Sequence, residues 1–317
     1  MKNSLNTKFL NLLVNDIFFS KNILKKYKFN TNPFFSCFEK KLKDNLTEIK
    51  DQRCLGYIRA SIDKYDGDAN YIKELREQGN LKARLIKNYD LKDELIIINT
   101  AGGLTSGDLN INSIKISENV NLSITSQSME KIYFCKNLPA LSYTNLSIGA
   151  NSFVSWMPLE TIFFNGGNLR RRVNIDLTKG SNFLGVDSII FGRKAMGETV
   201  KKGSLDDAWQ IHQNDKLLYS DFNRIKGNIN KKLSNNIIMK GNNILCNIVY
   251  FGKKIKFYKR KILNYTMSTN YIVGVSIVNG ILLMKILAKD IKEIRFFLYN
   301  LLKIFDNKFN LPKIWNF

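Results

Sequence analysis

Three stretches of the chain repeat one plan, and this repetition restricts the fold more than any other feature. `IKISENVNLSIT` (114–125), `NLSIGANSFVSW` (145–156) and `IDLTKGSNFLGV` (175–186) each read strand, small polar turn, strand. They recur about every thirty residues, the period of a supersecondary unit that buries its apolar face only by stacking on its neighbours. Within the units the apolar residues alternate: Val120, Leu122 and Ile124 share one face, as do Leu169, Val173, Ile175 and Leu177. Alternation of period two is the pattern of a half-buried strand. The expected fold is therefore all-β: one elongated domain of β-helix or solenoid-like character over 51–317, preceded by a poorly patterned, basic, Asn-rich leader over 1–50. Two segments are expected to be helical. One is a weaker pattern from Asp66 to Gln78. The other starts at Asp290, where Ile291, Ile294, Leu298, Leu301, Leu302 and Phe305 recur at helical spacing. There Asp290 and Glu293 resemble a capping box, and Pro312 follows the end.

Composition narrows the environment. Of the 317 residues 44% are hydrophobic, enough for a sizeable core, and 49 Lys and Arg against 27 Asp and Glu give a formal charge of +22. Such a charge fits an acidic partner, a nucleic acid or an anionic surface. It is spread along the chain, however, and no aromatic-plus-basic signature of an RNA-binding module accompanies it, so a dispersed lysine surface is favoured. The four cysteines, Cys37, Cys54, Cys135 and Cys246, form no C-x-x-C pair, which suits free thiols in a reducing cytoplasm. The longest apolar run, Tyr271 to Met284, is too short to span a bilayer and holds Ser276 and Asn279. `FLNLLVNDIFFS` near the start is broken by polar residues and has no small-residue cleavage site, so neither a signal peptide nor a membrane helix is expected.

Motifs of catalysis are scarce. `IIINTAGGLTSGDLNI` (96–111) offers a glycine-rich loop after a strand, but Asp108 stands where a phosphate-binding loop needs lysine, and a strand follows rather than a helix. The loop reads as a turn in which glycine supplies positive φ or close approach. The single histidine, His212, points away from the face shared by Trp209 and Ile211 and is expected at the surface. Buried charge is more informative. Arg171 falls on the apolar face of its strand, Glu160 is embedded in `WMPLETIFF`, and Asp187 in `FLGVDSIIF`. An isolated buried charge is too costly to keep, so Arg171 pairs with Glu160 or Asp187, or these groups face water inside the protein. A β-solenoid enzyme acting on polysaccharide would need two converging acids, for which Glu160 and Asp187 are the available pair. A basic nucleic-acid-binding β-protein is the other alternative.

An ordered series of segments resembles the family of urease accessory protein D, called H in some organisms. `INTAGGLTSGD` (98–108) is similar to the family's N-T-A-G-G-L-x-G-G-D, with Ser106 in place of a usual glycine. `TSQSMEKIY` (125–133), `WMPLETIFFNGGNLRRR` (156–172), `GRKAMGE` (192–198) and `LPKIWNF` (311–317) follow in family order, Leu159 replacing a usual glutamine. The resemblance runs from about Leu55 to the end. It implies a helix-poor β-fold and a non-enzymatic maturation factor acting with urease accessory proteins F and G, the latter a GTPase, on apo-urease. It implies no tightly bound cofactor and Ni²⁺ in transit, through a proposed internal channel, with no nucleic-acid or membrane partner and a cytoplasmic location. Carboxylate, carbonyl and water ligands release Ni²⁺ more readily than imidazole clusters do. On this reading the channel-facing candidates are Asp108, Glu130, Glu160, Asp187 and Glu198.

Overall fold

The computed structural model describes residues 53–65, 69–88, 93–193, 197–267, 269–305, 309 and 311–315; the leader expected over 1–50 lies outside them. The described chain is built of β-strands with three α-helices. One seven-stranded sheet runs in the order β14-β13-β11-β8-β5-β1-β2. Its strands are β1 (Leu55–Lys64), β2 (Asn70–Gln78), β5 (Leu109–Ile116), β8 (Ala140–Ile148), β11 (Asn168–Leu177), β13 (Lys202–Gln213) and β14 (Lys216–Asn228). The second sheet runs β16-β17-β15-β12-β9-β6-β4-β3, with β7 (Glu130–Ile132) and β10 (Thr161–Phe163) off its path. It uses β3 (Leu81–Ile86), β4 (Asp93–Asn99), β6 (Asn121–Gln127), β9 (Phe153–Trp156), β12 (Asn182–Phe191), β15 (Ile244–Phe251), β16 (Ile272–Val278) and β17 (Ile281–Ala288).

The repeats are the coils of this stack. Each crosses from the first sheet to the second at its polar turn and returns one level on. Asn110 lies beside Ser142, and Ser123 beside Ser155, an offset of 32 residues in both sheets. The next coil is shorter by the same amount on both sides, with Ala140 beside Leu169 and Phe153 beside Asn182. Coil registry is fixed by side chains as well as by the ladders. The hydroxyls of Ser123 and Ser155 lie 2.6 Å apart, and the Thr125 hydroxyl donates to the Met157 carbonyl at 2.8 Å. Antiparallel hairpins, β1–β2 and β13–β14, close both ends of the parallel stack.

Where a helix is expected from Asp66 to Gln78, the described residues Asn70–Gln78 are instead strand β2, paired along β1. The helix-favouring run Lys73-Glu74-Leu75-Arg76-Glu77 is overruled because eight residues of β1 provide a ready ladder, and helical propensity is worth only tenths of a kcal/mol per residue. The second helix is where the pattern puts it. Asp290 caps α3 (Ile291–Leu302; the earlier helices are α1, Ile229–Ser234, and α2, Ile255–Thr266), accepting from the amides of Lys292 and Glu293. Its buried stripe is Ile294, Phe297, Leu298, Leu301 and Leu302. That stripe and Tyr258 and Ile262 of α2 cover the outer face of the second sheet through Leu184, Val186, Cys246, Ile248 and Ile286. This unit, Arg53–Phe317, is thus layered: first sheet, second sheet, helices. No helix among the described residues is long and apolar enough to cross a membrane.

Candidate functional site

The space between the two sheets is not uniformly apolar. On the inner face of the first sheet, laddered neighbours line up as Asn110, Ser142, Arg171, Asp207 and Asn223. The second sheet carries its own row: Asp187, Asn247, Lys285 and Gly274. This polar layer separates two apolar clusters. Val173, Ile175, Trp209, Ile211 and Phe183 lie on one side; Leu169, Leu205, Ile225, Ile189 and Phe163 lie on the other. Alternation explains its depth. Residues two apart share a face, so a charge at position 171 between Leu169 and Val173 enters the core by register alone.

At the centre of the layer, one guanidinium serves two carboxylates. Arg171 Nε and Nη2 donate to Asp207 at 2.8 and 3.0 Å. Nη1 donates to Asp187 at 3.0 Å, Nη2 makes a second, very short contact with it, and Nη1 reaches the Thr161 hydroxyl at 3.4 Å. All three charged groups are buried, Asp207 completely. Burial opposes ionisation of Arg171, but the two carboxylates outweigh it and keep the cation charged. Burial raises Asp187 above the ordinary carboxylate range; Arg171 works against the rise and the neighbouring Asp207 adds to it. One cation against two acids leaves the cluster with a surplus negative charge or a retained proton. Of the two partners expected for Arg171, Asp187 is correct and Glu160 is not. Thr161 faces Arg171, so its neighbour Glu160 must point through the opposite face of the sheet. There the Glu160 oxygens accept from Arg295 Nε and Nη2 of α3 at 2.6 and 2.5 Å.

Beside the cluster lies a cavity of about 90 Å³, lined by Asn99, Asn112, Thr144, Glu130, Thr161 and Arg171 among others. Both Glu130 oxygens accept from Asn99 Nδ2, at 3.0 and 3.1 Å; burial lifts its pKa and the Asn99 hydrogen bond holds it back. Asn112 Oδ1 is buried there without a protein partner. At the other end of the layer a slot of about 370 Å³ opens between β13–β14 and β15–β17–β16. Trp209 Nε1 and Asn247 Oδ1 are buried in its wall without protein partners, and Lys285 Nζ donates to Asp221 at 2.7 Å.

The other expected residues sit apart. Asp108 is buried at the foot of the glycine loop, where its carboxylate accepts from the Cys54 amide at 2.9 Å and the Thr105 amide at 2.8 Å. The loop itself is a strand-to-strand turn. Gly107 has φ 78°, and a Cβ on Gly103 would meet the Lys131 carbonyl at 2.6 Å. Glu198 lies near the surface, accepting from Arg193 Nε at 2.8 Å and from the Asn165 amide; these bonds lower its pKa against the pull of burial. His212 is half-buried rather than fully at the surface, its Nδ1 3.7 Å from Asp176. Among the described residues, no three His, Cys, Asp or Glu side chains converge as a metal-binding group. Cys54, Cys135 and Cys246 are free thiols. Two partners escaped the sequence reading. Asp207 could have been found: in `SLDDAWQI` it shares its face with Leu205, Trp209 and Ile211, as Arg171 does with its own neighbours. Arg295 could not, because it lies 135 residues from Glu160.

The UreD urease accessory protein family matches residues 55–316. The chain is 32% identical over 267 residues to the urease accessory protein UreD of Rhizobium leguminosarum bv. viciae, covering 84% of this chain and 97% of that one. It is 30% identical to the UreD of Xanthobacter autotrophicus (83% and 90% covered) and 27% identical to that of Agrobacterium fabrum (86% and 95%). The family match over residues 55–316 and these likenesses, on a chain folded as stacked coils, lead to one assignment: the chain belongs to the UreD family of urease accessory proteins.

Proposed function

We propose that this protein matures urease without catalysing a reaction of its own. It docks on apo-urease together with accessory proteins F and G, and Ni²⁺ passes along its inter-sheet polar layer as cargo. The observation that carries this reading is the pairing of one buried arginine with two buried aspartates beside a cavity lined by oxygen groups. A fold that needed only stability would be served as well or better by apolar side chains there. The second carboxylate, whether ionised or holding a proton that a cation can displace, favours a cation, while amide, hydroxyl and carboxylate oxygens hold nickel loosely enough to release it. Glu130 is the expected residue that lines this space, and Asp187 is joined to it through Arg171, which does line it. Asp108, Glu160 and Glu198 have their oxygens engaged by backbone amides or arginines elsewhere. Nothing in the geometry favours the enzyme alternative, since Glu160 and Asp187 point through opposite faces of one sheet.

The test is the Asp187→Asn/Asp207→Asn pair of variants, singly and together, co-expressed with urease and the other accessory proteins. Nickel content of the purified urease should fall severalfold while the accessory complex still co-purifies. Wild-type nickel loading with all three variants would remove the layer from the route.

A further inference from the structure

The two sheets end in four terminal strands, and three of them carry charge. β14 has Lys216, Asp221, Arg224 and Lys226; β2 has Lys73, Glu74, Arg76 and Glu77; β3 has Lys82 and Arg84. Charges on an edge discourage another chain from pairing with it. The fourth, β16, reads Ile272-Val273-Gly274-Val275-Ser276-Ile277-Val278, with no charge and no proline. Among the described residues it pairs only with β17. Asn279 and Gly280 join the two strands with positive φ at both positions, a two-residue turn whose flanking pair, Val278 and Ile281, exchanges hydrogen bonds. By alternation Ser276, Gly274 and Ile272 also bond to β17. The peptide groups of Val273, Val275 and Ile277 therefore point outward from the sheet. Ile272 and Val278 are 41% and 42% exposed, and a Cβ on Gly274 would meet nothing within 4 Å. The strand's inward face opens on the slot beneath it.

The surroundings choose the occupant. α2 packs against β16 and β17, and six basic residues and no acidic one fall between Lys253 and Lys261. Lys256, Arg260 and Lys261 are exposed. A second copy pairing through β16 would bring two such helices together, at a net chain charge of +22 each. We propose that the free edge of β16 receives an extended segment of another protein, apolar at alternate positions and flanked by acidic residues. Main-chain bonds to Val273, Val275 and Ile277 give the affinity, the slot beside Gly274 takes an inward side chain, and the α2 cations meet the acidic flanks.

The experiment uses the full chain and a synthetic decapeptide, Glu-Glu-Val-Thr-Val-Thr-Val-Thr-Glu-Glu, with a lysine-flanked counterpart. Binding is read by titration, and amide protection by hydrogen exchange. The acidic peptide should bind, protect the amides of Val273, Val275 and Ile277, and weaken as salt is raised. The lysine-flanked peptide should bind at least about tenfold more weakly. Val275→Pro removes one outward N–H and leaves the β17 bonds in place, so it should keep the wild-type melting profile and lose the peptide. Ile272→Glu, which places on the edge a charge of the same sign as the peptide's flanks without touching the backbone, should weaken binding in the same direction. Equal binding by the wild type and Val275→Pro, or no protection at the three amides, would overturn the proposal. Concentration-dependent dimerisation that protects these amides without peptide would overturn it in favour of self-pairing.

Discussion

The second sheet has a buried ion pair on each face, and the two differ in a way that separates structure from function. On the outer face both oxygens of Glu160 accept from Arg295, and the pair lies among the apolar groups that fix α3 to the sheet. On the inner face Arg171 answers two carboxylates, beside a cavity and among hydroxyls and amides. The first gives one carboxylate a bidentate arginine from α3 and lies among apolar side chains, which suits attachment. The second is unbalanced and borders open space, and attachment alone would not require it. Buried charge in itself therefore says little; its stoichiometry and its access to a cavity say more.

Breaking the outer pair should have the largest effect. Arg295→Ala leaves Glu160 buried and unanswered, and should cost about 3–5 kcal/mol. Chemical denaturation should show it, together with loss of any complex that needs α3. Replacing both residues with leucine should recover most of that loss, because well-packed apolar groups stand in for a buried ion pair. Failure of the double variant to recover would mean that the pair does more than attach the helix.

The inner cluster should respond in the opposite sense. Asp207→Asn leaves a one-to-one pair, so stability should change by only about 1–2 kcal/mol while nickel delivery suffers. A loss as large as that of Arg295→Ala, with collapse of the complex, would erase the distinction drawn above.

The pH dependence sharpens it further. Asp187 has a raised pKa in the folded protein, so the folded state holds its proton at pH values where the unfolded chain has released it. The residue's relative contribution is present below the unfolded carboxylate pKa, about 4, and is lost as pH rises through the folded value. Asp187→Asn should therefore gain stability relative to wild type as pH rises across that window, as measured by denaturation at a series of pH values. A flat difference would show that the aspartate is no more basic folded than unfolded.

The smallest effect belongs to Glu198. Its bond to Arg193 is exposed, and Glu198→Ala should leave both the melting temperature and urease nickel content within error of wild type. A fall in nickel content would extend the route to this surface loop.

Much of the fold was legible because its signals are local. The repeat, the polar turns and the capped helix at Asp290 each depend on residues a few positions apart. The charged strand β2 was read as a helix because what decides it is the neighbouring β1, invisible in its own composition. The site was half legible. Period-two register places Arg171, Asp187 and Asp207 in the core without any coordinates. Which face Glu160 takes depends on β10 leaving the regular path, and its partner arrives from a distant helix.

The layering also sets an order of events during synthesis. By the time β15 ends at Phe251 the outer face of the second sheet already carries much of its apolar surface, yet the helix that supplies most of its cover begins only at Ile291. At roughly 5–20 residues per second, a ribosome takes some seconds to make the intervening segment. Over that interval the nascent chain displays Leu184, Val186 and Ile248 on a sheet that only α2 can begin to cover. The last helix is then also a deadline, before which this surface must be kept from other unfinished chains.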